Sequence, residues 1–394
     1  MDKDNASKIT KIVEKVDACG QVETKLDKTT ERVRQIKYSV VIPIYNKEDY
    51  IDDCIQSILD QRTCDLEQME LILINDGSKD NSLNICIENK ESIEICDKNK
   101  LFSDLIVIVD KPNSGVSDTR NLGIELARGE YIMFLDADDT WSTDFIKTID
   151  KIIETDEPDI LFYGSCRDKS QLGTESTEVF DIHESDKNNL LKSVVYNQHL
   201  IKNCKINFNR VTDYVVSAKL LRESNVRFDK TLKVGEDKLF NFELFQHIKN
   251  ISYTNKKLYY IRTNGKSVMG SYNRNALEVN KNLYNAFSTH ISQIEDACLN
   301  KELQLLKTCL GFQVVWNTIT SDYCHKDNPK KISERKTDYN NCKVYLQKEA
   351  LEQLNEYEKY LFKVFNYPFE IMNFIMKNRL VRGAWFYCHK LFKW

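Results

Sequence analysis

A cluster of carboxylates follows one of the most apolar segments of the chain. Residues 131–135 read Tyr-Ile-Met-Phe-Leu, and Asp136, Asp138 and Asp139 occupy three of the next four positions. Three like charges this close repel one another unless something compensates them. Two interpretations are open at this point. The cluster is either a solvated loop that also caps the next helix, or a site where a divalent cation carries an anionic substrate.

The segments around this cluster alternate between predicted strands and helices. Apolar runs bounded by turn residues predict strands at 38–46, 69–76, 105–110, 131–136 and 159–164. Helical spacing of apolar residues predicts helices at 48–61, 83–89, 115–129 and 142–155, the last capped by Ser142 or Thr143. This alternation predicts an α/β fold, in which helices cover both faces of a mostly parallel sheet.

Polar residues follow the ends of four predicted strands. They are Asn46, Asp76, the pair Asp110 and Lys111, and the acidic cluster itself. In sheets of this kind, ligands bind beyond the carboxyl ends of the strands. These positions therefore favour the second interpretation of the cluster, a cation with an anionic ligand.

Composition and charge exclude several classes of protein. The 394 residues carry a net charge of −4, so the chain lacks the positive field of a nucleic-acid binder. No apolar run reaches the roughly 18 residues of a membrane span, and the N-terminus lacks the apolar core of a secretory signal. We therefore predict a cytoplasmic protein.

The cysteines show neither a C-x-x-C pair nor a Cys/His cluster with zinc spacing. In a cytoplasmic chain of this size, we expect them to be reduced and to act as small apolar residues. The positions in apolar surroundings are Cys54, Cys86, Cys96 and Cys309.

The two ends of the chain differ from its middle in composition and in the spacing of apolar residues. Residues 1–36 are polar, with Val13 among the apolar positions at helical spacing, and are predicted to be a helical extension. Residues 37–270 are predicted to form the main domain, with a first half at 37–165 and a second half at 166–270. Residues 271–394 are predicted to be a helical C-terminal region.

The final stretch of the chain is basic and aromatic. From Lys377 onward it has five basic residues and no acidic one, interleaved with Leu, Phe and Trp. This pattern suits a helix lying at a membrane interface. It suits equally a final helix that packs on the protein and exposes its basic face. The first interpretation predicts a peripheral contact with the inner face of the cell membrane.

Several ordered blocks of the sequence resemble glycosyltransferase family 2 on a GT-A fold. They are VVIPIYNKEDYIDDCIQSILDQ, LILINDGSKDNS, NSGVSDTRNLGIELARGEYIMFLDADD, VGEDKLF and LYYIRTNGKSV. The resemblance is dense over 38–165 and thinner to about 270. It implies that 37–165 is a nucleotide-binding half and 166–270 an acceptor-binding half. It implies a Rossmann-like, mostly parallel sheet with helices on both faces, followed by a helical C-terminal region. It also implies a bacterial-type enzyme that synthesises polysaccharides or other glycans.

The resemblance implies transfer of a sugar from a nucleoside diphosphate sugar, in the first place a UDP-sugar. The acceptor would be a hydroxyl of a growing glycan or of a lipid-linked glycan. Asp76 matches the family's base-reading aspartate, although NDGS is also a good turn sequence. The other donor-binding positions implied in this way are Pro43, Tyr45, Asn46, Arg120, Asn121, Asp136, Ala137 and Arg262.

The resemblance also implies a metal and a base. Asp136 and Asp138 match the family's D-x-D motif, which implies Mn²⁺ or Mg²⁺ with Asp138 as the direct ligand. Asp139 would orient the site or cap the next helix. Asp237 matches the family's catalytic base and Glu236 its acceptor-side support, although acidic residues also suit the first turn of a helix. A single base implies direct displacement with inversion at the anomeric carbon.

Two other classes of function are alternatives. A sugar nucleotidyltransferase uses a similar sheet and a metal-binding aspartate, but it usually carries a Gly- and Arg-rich phosphate loop near its start, where this chain has IYNKEDY. A non-catalytic sugar- or partner-binding relative would be expected to lose acidic residues, yet Asp76, Asp136, Asp138 and Asp237 are present. The sequence therefore favours the glycosyltransferase.

Overall fold

The computed structural model describes residues 13–15, 35–61, 68–95, 100–174, 179–182, 186–196, 208–263, 272–325 and 327–378. Its internal contacts divide the chain into two compact units. The sheet unit comprises Met1–Lys187, Ile201–Lys230 and Phe240–Thr263. The helical unit comprises Asn188–Leu200, Thr231–Leu239 and Asn264–Trp394. The domain boundaries given above stay predictions.

The described residues of the sheet unit contain one sheet of ten strands. The strands are β1 Val13–Lys15, β2 Tyr38–Ile44, β3 Met69–Asp76, β4 Ile106–Lys111, β5 Tyr131–Phe134, β6 Thr140–Trp141, β7 Ile160–Cys166, β8 Val179–Ile182, β9 Tyr214–Ser217 and β10 Ile251–Tyr260. Their order is β1-β4-β3-β2-β5-β9-β7-β10-β6, and β8 also pairs with β10. Within the sheet, each neighbouring pair along β1-β4-β3-β2-β5 is parallel. Strand β9 runs antiparallel to both β5 and β7. The predicted α/β fold with a mostly parallel sheet is confirmed.

The helices of the described residues follow in chain order. They are α1 Ile51–Leu59, α2 Ser82–Ile95, α3 Lys100–Ser103, α4 Val116–Leu126, α5 Phe145–Asp156, α6 Lys187–Val195, α7 Ala218–Ser224, α8 Glu236–Leu244, α9 Ala276–Ser292, α10 Ala297–Thr318, α11 Ile332–Cys342, α12 Glu356–Asn366 and α13 Phe369–Lys377. A five-residue π-helical turn, Ile319–Tyr323, extends α10. No helix in the described part of the chain is both long and apolar enough to cross a membrane.

Apolar periodicity explains how the sheet is covered. Every residue of β3 is buried, as expected for a central parallel strand that has helices on both faces. The apolar stripe of α1, which includes Ile51, Cys54 and Ile58, is buried in the same core. Cys54, Cys86 and Cys309 are free and buried, as predicted, and Cys96 lies outside the described residues.

Two local predictions are wrong. Val13–Lys15 forms a strand rather than part of a helix, and it pairs in parallel with β4. The outer edge of β4 offers unpaired backbone groups, and this ladder satisfies them. Helix α5 starts after Asp144, so neither Ser142 nor Thr143 is its cap; the Ser142 hydroxyl donates to the Asp144 carboxylate over 2.9 Å.

The helical unit has its own aromatic core. Phe312 of α10 lies 6.4 Å from Phe362 and 5.7 Å from Phe365 of α12, measured between ring centroids. The predicted helical C-terminal region is confirmed for the described residues. The basic aromatic stretch after Asn378 lies outside them.

Candidate functional site

The acidic cluster forms a tight turn directly after β5. The backbone N–H of Asp139 donates to the carbonyl oxygen of Asp136 over 2.9 Å, and we call residues 136–139 the acidic turn. The side chains of Asp136 and Asp138 are 37% and 20% exposed, whereas that of Asp139 is only 6% exposed. The turn therefore presents two carboxylates to solvent and keeps the third inside the protein.

Basic side chains from distant parts of the sequence compensate the acidic turn. Lys47 Nζ lies 2.5 Å from Asp138, and a guanidinium nitrogen of Arg120 lies 3.1 Å from Asp136. Arg210 approaches Asp139 at 3.9 Å. Lys47 and Arg210 were not among the residues predicted from the sequence. Lys47 follows Asn46 at the end of the first predicted strand, and this position could have predicted that Lys47 lies at the site. Arg210 carried no such signal.

Asp139 is tied to the end of β10. The Tyr259 hydroxyl donates to one carboxylate oxygen over 2.8 Å, and the backbone N–H of Arg262 donates to the other over 2.8 Å. Burial, followed by the charge of Asp136, raises the pKa of Asp139 to about 7. Asp139 does not cap α5, whose N-cap is Asp144. Its contacts are those of a residue that orients the turn.

Asp76 has a different environment at the end of β3. Its carboxylate pairs with Lys111 and accepts the backbone N–H groups of Ser114 and Gly115, each over 2.9 Å. The side chains of Asp76 and Lys111 are 6% and 5% exposed. A side chain at Gly77, where φ is +67°, would come within 2.8 Å of the Asn113 nitrogen. Asp76 thus anchors residues 112–115 through both of its oxygens.

Helix α4 places Arg120 and Asn121 differently. Arg120 reaches the acidic turn, and its guanidinium carbon lies 5.5 Å from the centroid of the Phe228 ring. The Asn121 side chain is buried, and its amide both donates to and accepts from the backbone of Phe228, over 2.9 and 2.8 Å. Asn121 therefore holds the segment around Phe228. Its side chain does not face the acidic turn, as that of a donor-binding residue would.

The remaining donor-binding candidates in the first half of the domain are spread around the end of β2. Pro43 is half-buried within the strand, and Tyr45 is 43% exposed. Asn46 has φ of 52°, and its side chain accepts the Lys79 N–H over 2.8 Å, which links this loop to the turn after β3. Ala137 is 1% exposed and belongs to the apolar core, so its side chain does not face the surface of the turn.

Arg262 contacts the outside of the acidic turn. Its Nε donates to the carbonyl oxygen of Asp138 over 3.0 Å, and its terminal nitrogen lies 2.7 Å from the Asp53 carboxylate. The guanidinium also stacks over the ring of Tyr50, 5.2 Å from its centroid. These contacts brace the turn. Lys266 and Ser267, which follow Arg262 in the block LYYIRTNGKSV, lie outside the described residues.

Glu236 and Asp237 are the first two residues of α8, and both are half-buried. Gly235, which precedes them, has φ of +80°, and a side chain there would overlap Leu283 of α9. This explains why a glycine stands before the acidic pair. Glu236 and Asp237 belong to the helical unit, whereas the acidic turn belongs to the sheet unit.

The acidic turn has the donor chemistry for a hard divalent cation. In the described part of the chain, no group of three or more His, Cys, Asp or Glu side chains is arranged to hold a metal ion. Asp136 and Asp138 nevertheless offer two partly exposed carboxylates, while both oxygens of Asp139 already accept hydrogen bonds. Mg²⁺ commonly binds through one or two carboxylates, with water and substrate phosphates completing its shell. The residues present fit that mode of binding.

Comparisons with known proteins show which proteins this chain is similar to. The model of the family described as Glycosyl transferase family 2 matches residues 39–202. The chain is 30% identical over 275 residues to the minor teichoic acid biosynthesis protein GgaB of Bacillus subtilis (strain 168), covering 65% of this chain and 27% of that protein. It is 29% identical over 231 residues to the uncharacterized glycosyltransferase EpsJ of the same strain, covering 58% and 62%.

A third relative is the poly(ribitol-phosphate) beta-glucosyltransferase of Bacillus spizizenii, 28% identical over 269 residues, covering 68% of this chain and 38% of that protein. The chain thus spans less than two thirds of each of these relatives. Among solved structures, that of S. aureus TarS residues 1–349 in complex with UDP-GlcNAc matches with a TM-score of 0.62 and 18% identity, covering 88% of this chain and 92% of that one. This likeness confirms the predicted fold.

Proposed function

The chain belongs to glycosyltransferase family 2 through its domain at residues 39–202, and from this premise we propose that it transfers a sugar from a UDP-sugar to an acceptor hydroxyl. The observation that carries the proposal is the acidic turn, with two exposed carboxylates at the carboxyl edge of the parallel sheet. The solved structures of TarS with UDP-GlcNAc and with UDP support a uridine nucleotide.

We assign the donor diphosphate to the acidic turn. Asp138 and Asp136 would hold Mn²⁺ or Mg²⁺, which when bound neutralises the charge of the diphosphate leaving group. Lys47 and Arg120 hold these two carboxylates in place by ion pairs. Arg262 braces the same turn from outside through the carbonyl oxygen of Asp138. Asp76 contributes to the nucleotide end by fixing residues 112–115, beside which a base would lie.

Asp237 is the proposed base, and Glu236 supports the acceptor. A carboxylate within hydrogen-bond reach removes the proton of the acceptor hydroxyl as its oxygen attacks the anomeric carbon. With one base and direct displacement, the oxygen enters opposite the leaving UDP. The anomeric centre therefore inverts, and an α-linked donor gives a β-linked product.

The acceptor is proposed to be a hydroxyl of a growing or lipid-linked bacterial surface glycan. The support is the printed functions of relatives, which include teichoic acid biosynthesis and a poly(ribitol-phosphate) beta-glucosyltransferase. Such an acceptor would place the enzyme in the cytoplasm, peripheral to the inner face of the membrane. The basic aromatic tail, from Lys377 to Trp394, would contribute to that contact.

The membrane contact is tested by deleting residues 379–394. The truncated chain should sediment less with vesicles that contain anionic lipid, because it loses four of the five basic residues of the tail. Binding to neutral vesicles serves as the control. A truncated chain that sediments as fully as the intact one would exclude this role for the tail.

The proposed reaction is tested by incubating the protein with a panel of UDP-sugars, Mn²⁺ and a surface-glycan acceptor. Release of UDP with a β-linked product is expected. Asp237→Asn should lower kcat by about 10²–10⁴ and leave donor affinity nearly unchanged. An α-linked product from an α-linked donor would falsify the inverting mechanism. Release of inorganic diphosphate would indicate a nucleotidyltransferase instead, and sugar binding without turnover a non-catalytic relative.

A further inference from the structure

The hydroxyl of Tyr259 lies between the two ends of the acidic turn. It donates to the carboxylate of Asp139 over 2.8 Å, and it accepts the backbone N–H of Asp136 over 3.2 Å. Tyr259 is completely buried. One hydroxyl group therefore joins the first residue of the turn, through its backbone, to the last residue, through its side chain.

The position of Tyr259 is itself fixed by the sheet. In β10 it pairs with Trp141 of β6 on one side and with Ser165 of β7 on the other. The guanidinium carbon of Arg210 lies 5.3 Å from the centroid of its ring. A buried ring on a strand that is paired on both sides has few conformations open to it. The hydroxyl is therefore a rigid reference point for the acidic turn, which itself follows a strand end and has no ladder of its own.

The hydrogen bonds of Asp139 determine which carboxylates of the acidic turn face solvent. Because Asp139 is held inward by Tyr259 and by the backbone of Arg262, Asp136 and Asp138 are left on the exposed side. Without these hydrogen bonds, Asp139 would no longer be held inward, and the outward orientation of Asp136 and Asp138 would no longer be fixed. The exposed pair is the one that the proposed donor site requires.

We propose that Tyr259 is a positioning residue, whose hydroxyl sets the orientation in which Asp136 and Asp138 meet a metal–nucleotide complex. Outer partners that orient metal ligands typically change metal affinity by about 10- to 100-fold when removed. This inference rests on the proposed function, namely metal-supported binding of a UDP-sugar. It goes beyond that function by assigning a role to a residue that touches neither the metal nor the nucleotide.

The test is Tyr259→Phe in the full chain, with UDP binding measured by calorimetry in Mn²⁺ and again in EDTA. The ring stays and only the hydroxyl is lost. We expect UDP affinity in Mn²⁺ to fall by about 10-fold, and affinity in EDTA to stay unchanged. A merely structural hydroxyl would weaken both alike or neither.

Tyr38→Phe is the matched control. Tyr38 is 3% exposed, lies at the amino end of β2, and donates to the Asp150 carboxylate over 2.7 Å. It thus loses the same kind of hydrogen bond in the same sheet, away from the acidic turn. The temperature of thermal unfolding should fall by a comparable amount in both variants. The UDP affinity of Tyr38→Phe in Mn²⁺ should equal that of the unaltered protein.

A second variant, Asp139→Asn, reaches the same hydrogen bond from its other end and carries the test if Tyr259→Phe does not fold. Tyr259 and Arg262 donate to different oxygens of Asp139. In Asp139→Asn one of these two positions carries an NH2 group, which cannot accept, so the metal-supported affinity should fall in the same direction. Full metal-supported binding in folded Tyr259→Phe, for example because Arg210 moves onto Asp139, overturns the inference alone. If the unaltered protein binds UDP equally in Mn²⁺ and EDTA, the metal part of the proposed function is wrong and the inference falls with it.

Discussion

Two carboxylate sites at the same edge of the sheet have opposite surroundings. Asp76 ends β3, and the acidic turn follows β5; both strands pair in parallel with β2. Asp76 is buried and is held by Lys111 and two backbone N–H groups. Asp138 is more exposed and pairs with Lys47. A strand end therefore tells where a carboxylate lies, but not whether a ligand can meet it.

The difference comes from the loops beside each site. Residues 112–115 fold back onto β3 and bring their N–H groups to Asp76, so that the protein itself supplies the hydrogen bonds. In the acidic turn, Asp139 accepts from the Tyr259 hydroxyl and from the backbone N–H of Arg262. Asp136 and Asp138 pair with the side-chain cations of Arg120 and Lys47, which a bound ion or ligand can replace at less cost than a buried backbone contact.

The largest effect on stability is expected at Asp76. Asp76→Asn leaves the buried Lys111 with a reduced partner at position 76 and with the more exposed Asp118 carboxylate 3.4 Å away. Breaking a buried pair on one side typically costs about 3–5 kcal/mol. Urea denaturation should show a loss in the free energy of unfolding within that range.

The double variant Asp76→Asn with Lys111→Met is the control for this prediction. It removes the buried positive charge that has lost its closest carboxylate partner and should recover part of the loss, so that the two effects are not additive. If Asp76→Asn alone lowers the free energy of unfolding by less than about 1 kcal/mol, the carboxylate is not the anchor of residues 112–115.

A much smaller effect on stability is expected at Asp138. Its ion pair with Lys47 is partly exposed, and such pairs are usually worth about 0–1 kcal/mol. Asp138→Asn also removes one of three neighbouring negative charges, which offsets part of that loss. Urea denaturation should therefore place Asp138→Asn within about 1 kcal/mol of the unaltered protein. A loss as large as that at Asp76 would mean that Asp138 is structural, and the contrast between the two sites would fail.

Much of the sheet could be predicted from the sequence. The strands β2 to β5 and β7 are apolar runs with clear ends, and the resemblance added the order of the acidic motifs. Val13–Lys15 could not be predicted as a strand, because a three-residue ladder depends on the free edge of β4 rather than on its own residues. The sequence also gave no sign that Ala137 turns into the core, since only the geometry of the turn decides this.

The partners of the acidic turn were the least predictable part of the site. Lys47, Arg120 and Arg210 come from three separate segments, and only the topology of the sheet brings them together. The D-x-D motif suggested that an external cation compensates the cluster. The structure adds that side chains of the protein already do so. Asn121 shows the converse, since its motif position suggested the donor while its amide binds the backbone of Phe228.

The central claim is that the acidic turn binds a nucleoside diphosphate through a divalent cation. Calorimetry of UDP binding in Mn²⁺ and in EDTA, on the unaltered protein and on Asp138→Asn, tests it most directly. The account predicts that Mn²⁺ tightens binding by about 10-fold or more in the unaltered protein, and that Asp138→Asn abolishes this gain while remaining folded. Equal affinity for UDP in Mn²⁺ and EDTA in the unaltered protein would contradict it.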